Sequence, residues 1–194
     1  MVDLPAGLYH AVDNDNSTEL QRLIELGADV DQFYDDLSHA NSKALLHFAC
    51  ARGRTDCVKV LLENGASVNV RDKWRMTPIM YCMSTQNIEI AKLLIENDSG
   101  TINSQDTNGK SALHIAIGYG SEKTTRLLLR MGAEINLQNF YGSTPLMTLM
   151  SAKDIDNYLC LTKILIESGA DINLHDFRDK RTALHVRTYL VFTK

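Results

Sequence analysis

The 194-residue sequence predicts an all-α repeat solenoid of six stacked helix–turn–helix units. Three observations carry that expectation. The chain can be laid on itself at starts near 6, 44, 77, 111, 144 and 182, in steps of 33 or 34 residues in the middle and 38 at either end. A second motif, a leucine-rich stretch closed by Gly-Ala, returns at fixed phase. One short helix pair of this composition cannot cover its own apolar face, so Leu46, Leu61, Leu62, Leu113, Leu128 and Leu146 must be buried against adjacent units. Residues 1–194 read as a single repeat domain.

In chain order, the first helix of each unit begins at Ala44-Leu45-Leu46-His47-Phe48-Ala49, Thr77-Pro78-Ile79-Met80-Tyr81-Cys82, Ser111-Ala112-Leu113-His114-Ile115-Ala116 and Thr144-Pro145-Leu146-Met147. Ala6-Gly7-Leu8-Tyr9 and Thr182-Ala183-Leu184-His185 fit more loosely at the two ends. Thr77-Pro78 and Thr144-Pro145 supply a hydroxyl cap and a proline at the first helical position. The second helix runs into Leu26-Gly27-Ala28, Asn64-Gly65-Ala66, Met131-Gly132-Ala133 and Ser168-Gly169-Ala170, where glycine can close a helix at positive φ. The third unit departs, ending Asn97-Asp98-Ser99-Gly100. Insertions lengthen the segment between Asp31 and Lys43 and the turn around Lys153–Asn157. The sixth unit stops at Lys194 after scarcely one helix, with Arg187 where a small residue is expected. That predicts thin cover for Leu161, Ile164 and Leu165.

Composition narrows the function. With 20 Lys+Arg against 24 Asp+Glu, a net charge of −4 and 44% hydrophobic residues, the chain is expected to fold, and its scattered basic residues form no phosphate-binding run. Direct nucleic-acid binding is not expected. No apolar stretch approaches the roughly 18 residues needed to cross a bilayer, and Met1-Val2-Asp3-Leu4-Pro5 lacks the basic start of a secretory signal. The expectation is a cytoplasmic chain with access to the nucleus. Cys50, Cys57, Cys82 and Cys160 include no C-x-x-C pair, so free, mostly buried thiols are expected, with neither a disulfide framework nor a metal site. No cofactor is anticipated.

The repeated segments resemble the ankyrin repeat family, whose Thr-Pro-Leu-His-x-Ala helix start and Leu-Leu-x-x-Gly-Ala-Asp-Val-Asn helix end they echo across residues 4–194. The resemblance implies a β-hairpin finger on each L-shaped helix pair and a curved solenoid whose concave face binds other proteins. It gives His47, His114 and His185 a structural hydrogen-bonding role at one repeat position, and it makes the Cys50 slot a small core position. Catalysis by a His47–Cys50 pair is therefore set aside, since no orienting third group accompanies it. Arg75 stands where Gly109 and Gly142 sit in other units, which predicts an adjusted or strained turn.

Aligned units place Phe33/Tyr34, Trp74, Phe140/Tyr141 and Phe177 near the finger tips. Aromatic side chains dominate binding hot spots, and a row of them in water benefits only a binding protein. The slots that vary between family members add Lys73, Met76, Lys110 and Tyr119, together with Ser84, Thr85, Thr107 and Asn108. The expected function is a non-enzymatic, monomeric adaptor or scaffold that binds another protein through finger tips and concave helix face. Lys73, Arg75 and Lys110 would select an acidic or polar rim. The repeat spellings are similar to those of adaptors carrying a SOCS box, the substrate-binding parts of ubiquitin ligases, although no such box follows residue 181. An inhibitor of a transcription factor, resembling the NF-κB inhibitors, is the alternative. Asn173, Asn136 and Asn69, in that order, resemble sites for the asparaginyl hydroxylase that acts on ankyrin repeats, each with a leucine eight residues before it. Asp98-Ser99-Gly100 is read as a helix-ending turn in preference to a phosphodegron.

Overall fold

The computed structural model describes residues 4–36, 41–152 and 157–186. The chain forms two compact units, Met1–Thr101 and Ile102–Lys194.

The first unit contains α1 (Leu4–Asp13), α2 (Ser17–Glu25), β1 (Phe33–Asp36), β2 (Asn41–Ala44), α3 (Leu45–Arg52), α4 (Thr55–Glu63), α5 (Pro78–Thr85) and α6 (Ile88–Asn97). These helices are too short to be stable alone. They are held by packing in two layers: α1 on α3 on α5, and α2 on α4 on α6, each first helix also touching its own second helix. Leu46, Leu61, Ile79, Ile90 and Leu94 are fully buried between layers, while Leu62 is only half-buried. Asn16 and Asn87 cap α2 and α6 by accepting the Glu19 and Ile90 N–H at 2.9 and 3.1 Å. Arg54 ties the turns of the first two repeats together, donating to the Asp13 carbonyl at 2.7 Å and pairing with Asp15 at 3.5 Å.

The second unit contains α7 (Ala112–Gly118), α8 (Glu122–Arg130), α9 (Pro145–Ser151) and α10 (Tyr158–Glu167), followed by a helical turn at 183–186. The scheme repeats: α7 packs on α9, α8 on α10, and each pair closes on itself. Leu113, Leu128 and Leu146 are buried as expected. Gly27, Gly65, Gly132 and Gly169 all close their helices at positive φ. Where Asp98 replaces glycine, α6 ends in extended backbone and a 3-10 turn, Ser99–Asn103, follows.

Three expectations need correction. The Thr77 hydroxyl does not cap α5: it is buried without a partner, because the Met80 N–H bonds instead to the Thr77 carbonyl at 3.0 Å. Thr144 does cap, accepting from the Met147 N–H. Leu161, Ile164 and Leu165 are buried; the exposed aliphatic residues near this end include Leu159, Ile166, Ile172 and Leu184. Regular hairpin fingers are not general either. Among the described residues only the lengthened first finger pairs as strands, Phe33 opposite Ala44 through Asp36 opposite Asn41. The fingers at Asp72, Asp106 and Asn139 each close with two backbone bonds within the turn, and the last with the Asp176 N–H to Arg181 carbonyl bond and a single bridge between His175 and Thr182, too few for a ladder. Arg187 and 153–156 lie outside the described residues. Among the described residues, no helix is long and apolar enough to cross a membrane.

Candidate functional site

Each of the four later finger turns is built on a buried or half-buried Asp or Asn. Asp72 Oδ1 accepts the N–H groups of Trp74 and Met76 at 2.9 and 2.8 Å. Asp106 does the same for Asn108 and Lys110 at 2.7 and 2.8 Å, and Asn139 for Tyr141 and Ser143 at 2.9 Å each. In the last finger, one residue longer, Asp176 accepts from Asp179 and Arg181 at 2.8 and 3.2 Å. Burial alone would raise its pKa, but those N–H bonds and the Arg181 charge outweigh it, so the carboxyl sits below its usual value. A side chain that takes up two N–H groups fixes the turn and leaves the residues between them pointing outward.

In three of these four turns the intervening residues include aromatics; in the Asp106 turn they are Thr107, Asn108 and Gly109. Trp74, Phe140, Tyr141 and Phe177 are 51%, 55%, 50% and 57% exposed. Arg75 adopts φ 58°, the left-handed conformation that Gly109 and Gly142 take at 76° and 80°, so the expected strain at this finger is present. Lys73 and Arg75 are exposed, and the Lys73 ammonium lies 5.0 Å from the Trp74 ring centre. Met76 is half-buried, its carbonyl taken by His47. Lys110 and Tyr119 are exposed, Tyr119 as the cap residue of α7.

In the second unit the fingers are stitched into a platform. Phe140 N–H donates to the Asn108 carbonyl at 3.1 Å and Phe177 N–H to the Tyr141 carbonyl at 3.0 Å. Gln105 bridges the Gly109 and Gln138 carbonyls at 2.6 and 3.0 Å, and Gln138 bridges those of Gly142 and His175 at the same distances. The Phe140 and Phe177 rings lie against Gly109 and Gly142 of the preceding finger; a Cβ there would fall 2.6 and 2.7 Å from ring carbons. One ring edge is pinned and the rest is open. The Arg178 guanidinium lies 5.9 Å from the Tyr141 ring centre, beside an open groove of about 500 Å³ lined by Tyr141, Ser143, Asp176, Arg178, Asp179 and Arg181.

Phe33 is exposed at the first finger, whereas its neighbour Tyr34 folds back among Tyr9 and Phe48, with ring centres 5.9 and 6.3 Å away. That half-buried cluster continues to Lys43, 5.5 Å from the Phe48 ring and 5.0 Å from Tyr81. Not foreseen from sequence were Tyr9, in the histidine slot of the first repeat, Phe48 and Tyr81, which share the position after that slot, and Arg178.

The repeated histidines are structural. His47 Nε2 donates to the Met76 carbonyl and His114 Nε2 to that of Ser143, each at 3.0 Å, while their Nδ1 atoms accept the Ala44 and Ser111 N–H at 3.1 and 3.2 Å. Burial holds both below the usual histidine pKa, against the opposing pull of the carbonyl bonds. His185 Nδ1 sits 2.8 Å from the Thr182 hydroxyl. Cys50, Cys57 and Cys82 are buried free thiols and Cys160 is half-buried. Burial raises the Cys50 pKa, so no thiolate stands beside His47. Among the described residues no cluster is arranged to hold a metal ion.

The asparagine slot clamps successive repeats. Asn136 Oδ1 accepts the Asp171 N–H at 2.9 Å, as Asn103 does for Glu134 at 2.9 Å and Asp31 for Ser67 at 3.0 Å. Asn69 hydrogen-bonds the Asp98 carboxylate. Asn173 is exposed, its N–H bound to Asp171.

The ankyrin repeat profile, three repeats long, matches residues 8–106, 46–139 and 99–176. Human ankyrin repeat and SOCS box protein 16 is 31% identical over 128 residues, 66% of this chain and 27% of that protein. The mouse B-cell lymphoma 3 protein homolog is 35% identical over 124 residues, 62% of this chain and 28% of its own length. The chain thus spans little more than a quarter of these relatives. The crystal structure of EF0377, an ankyrin repeat protein, superposes with a TM-score of 0.84 over 100% of this chain and 95% of that one, at 22% identity. The matched residues, the paired helices and the glycine-closed helix ends agree: the chain belongs to the ankyrin repeat family, a protein–protein interaction fold.

Proposed function

We propose that the chain is a non-enzymatic recognition module, an adaptor or scaffold that holds a partner protein through its finger tips and the adjoining first-helix faces. One observation carries this reading: in each unit, aromatic side chains half-exposed to water stand on turns whose backbone is fixed by an Asp or Asn accepting two N–H groups. Rigid rings lose little conformational freedom on binding and bury a large area. The contact residues are Trp74, Phe140, Tyr141 and Phe177, with Lys73, Met76, Lys110 and Tyr119 around them.

Similarity to the SOCS box protein and to the probable E3 ubiquitin-protein ligase XBOS33 of rice, 33% identical over 122 residues, favours the substrate-binding part of a ubiquitin-ligase adaptor. Inhibition of a transcription factor is the second reading. Affinity capture of the cytoplasmic partner with mass spectrometry tests both, with the Trp74→Ala/Tyr141→Ala chain as control. Ligase subunits in the wild-type sample alone support the first, and a transcription factor supports the second. Equal recovery by the control chain removes the finger tips from the account.

A further inference from the structure

The groove beside the last finger of the second unit has a charge pattern that specifies a ligand. Of its two carboxylates, Asp176 is engaged by the N–H groups of Asp179 and Arg181, and Asp179 pairs with the Arg181 guanidinium at 3.2 Å. Arg178 is exposed and, among the described residues, has no carboxylate partner; it rests over Tyr141. Lys110 and Lys180 on the fingers of the same unit are likewise exposed without an ion pair among the described residues. The chain as a whole carries a net charge of −4, so unpaired positive charge on these fingers runs against the sign of the molecule.

We propose that this groove binds a carboxylate-bearing segment of the partner protein, an Asp or Glu side chain on Arg178 with an adjacent apolar side chain on Tyr141 and Phe177. The inference rests on the finger-tip reading above and deepens it. A guanidinium laid on a ring keeps its edge N–H donors free, and that edge matches the two oxygens of a carboxylate. The ring excludes water from one side of the ion pair and strengthens it. Phe177, pinned through its N–H and one ring edge, supplies a preformed apolar wall. Lys180, held at φ 54° in the turn, adds a longer-range attraction that speeds encounter.

The test is selection of random short peptides displayed on phage against the full chain, followed by affinity measurement with the synthesised peptides. Acidic residues next to an apolar one should be enriched. Those peptides should bind Arg178→Glu at least roughly tenfold more weakly, lose affinity as salt is added, weaken on Tyr141→Ala, and be indifferent to Trp74→Ala. Arg178→Ala, a milder change at an exposed position, should fall between wild type and Arg178→Glu. Failure to enrich acidic peptides, or equal binding to Arg178→Glu, overturns the proposal. Peptides that depend on Tyr141 but not on Arg178 would sink it while leaving the finger-tip reading standing. Ligands indifferent to every finger variant, the captured partner included, would remove both.

Discussion

Replacing Gly142 by alanine should damage the platform far more than replacing Gly169, although both lie in left-handed backbone, at φ 80° and 92°. The shared part is the conformational strain, about 1 kcal/mol for a residue with a Cβ. Arg75 endures the same strain at φ 58°, so strain alone does not demand glycine. What separates the two sites is space. A Cβ on Gly169 meets nothing within 4 Å, whereas one on Gly142 would lie 2.4 Å from the Phe177 backbone nitrogen and 2.7 Å from its ring. Backbone cannot yield as a side-chain tip does, so the last finger must move. The Phe177 N–H···Tyr141 bond of 3.0 Å then lengthens or breaks, adding about 1 kcal/mol, and overpacking adds about 1 more. Gly142→Ala is expected to cost about 3 kcal/mol against about 1 for Gly169→Ala. Urea unfolding followed by circular dichroism gives the totals, and hydrogen exchange at the Phe177 amide reports the local break. Equal losses, or unchanged Phe177 protection, would refute the close-approach argument.

The orphaned Thr77 hydroxyl predicts that Thr77→Val is neutral or gains about 1 kcal/mol, while Thr144→Val, which deletes a working cap, loses about 1; equal losses in urea melts would contradict this. His47 and His114 have lowered folded-state pKa values, so the unfolded chain binds more protons over that window. Their contribution to stability is full above the unfolded value of about 6.5 and is lost as pH falls through the folded values. His114→Gln should flatten that acid dependence, and an unchanged pH profile would remove histidine from it. Among the asparagines, modification by the ankyrin-directed hydroxylase is expected in the order Asn173, Asn136, Asn69. Asn136 clamps the Asp171 N–H and Asn69 is held by Asp98, so the enzyme must break these contacts first. Mass mapping after incubation checks the order, and modification confined to Asn69 would reverse it.

The period and the helix ends were legible because they rest on local chemistry: glycine after the last apolar turn, proline at the first, and leucines at one repeated phase. The finger aromatics were legible for the same reason, since alignment alone puts Trp74 and Tyr141 between the turn-fixing residues and the next helix. What escaped is what depends on neighbours in space. Thr77 and Thr144 look alike in sequence, yet one hydroxyl is spent on a cap and the other is orphaned by a backbone bond. Tyr34 sits beside exposed Phe33, but strand alternation turns it back onto Tyr9 and Phe48. Arg178 gained meaning only when the longer last finger brought it over Tyr141, since the sequence separates the two by a whole repeat.

The claim that these fingers bind rather than brace is tested most directly by one paired measurement on Trp74→Ala/Tyr141→Ala: affinity for the captured partner and the unfolding midpoint of the free chain. Each half-exposed ring should contribute about 2 kcal/mol to binding, roughly thirtyfold in affinity, with the midpoint unchanged. A midpoint that falls sharply while affinity per folded molecule holds would show that the rings serve the fold and not a partner.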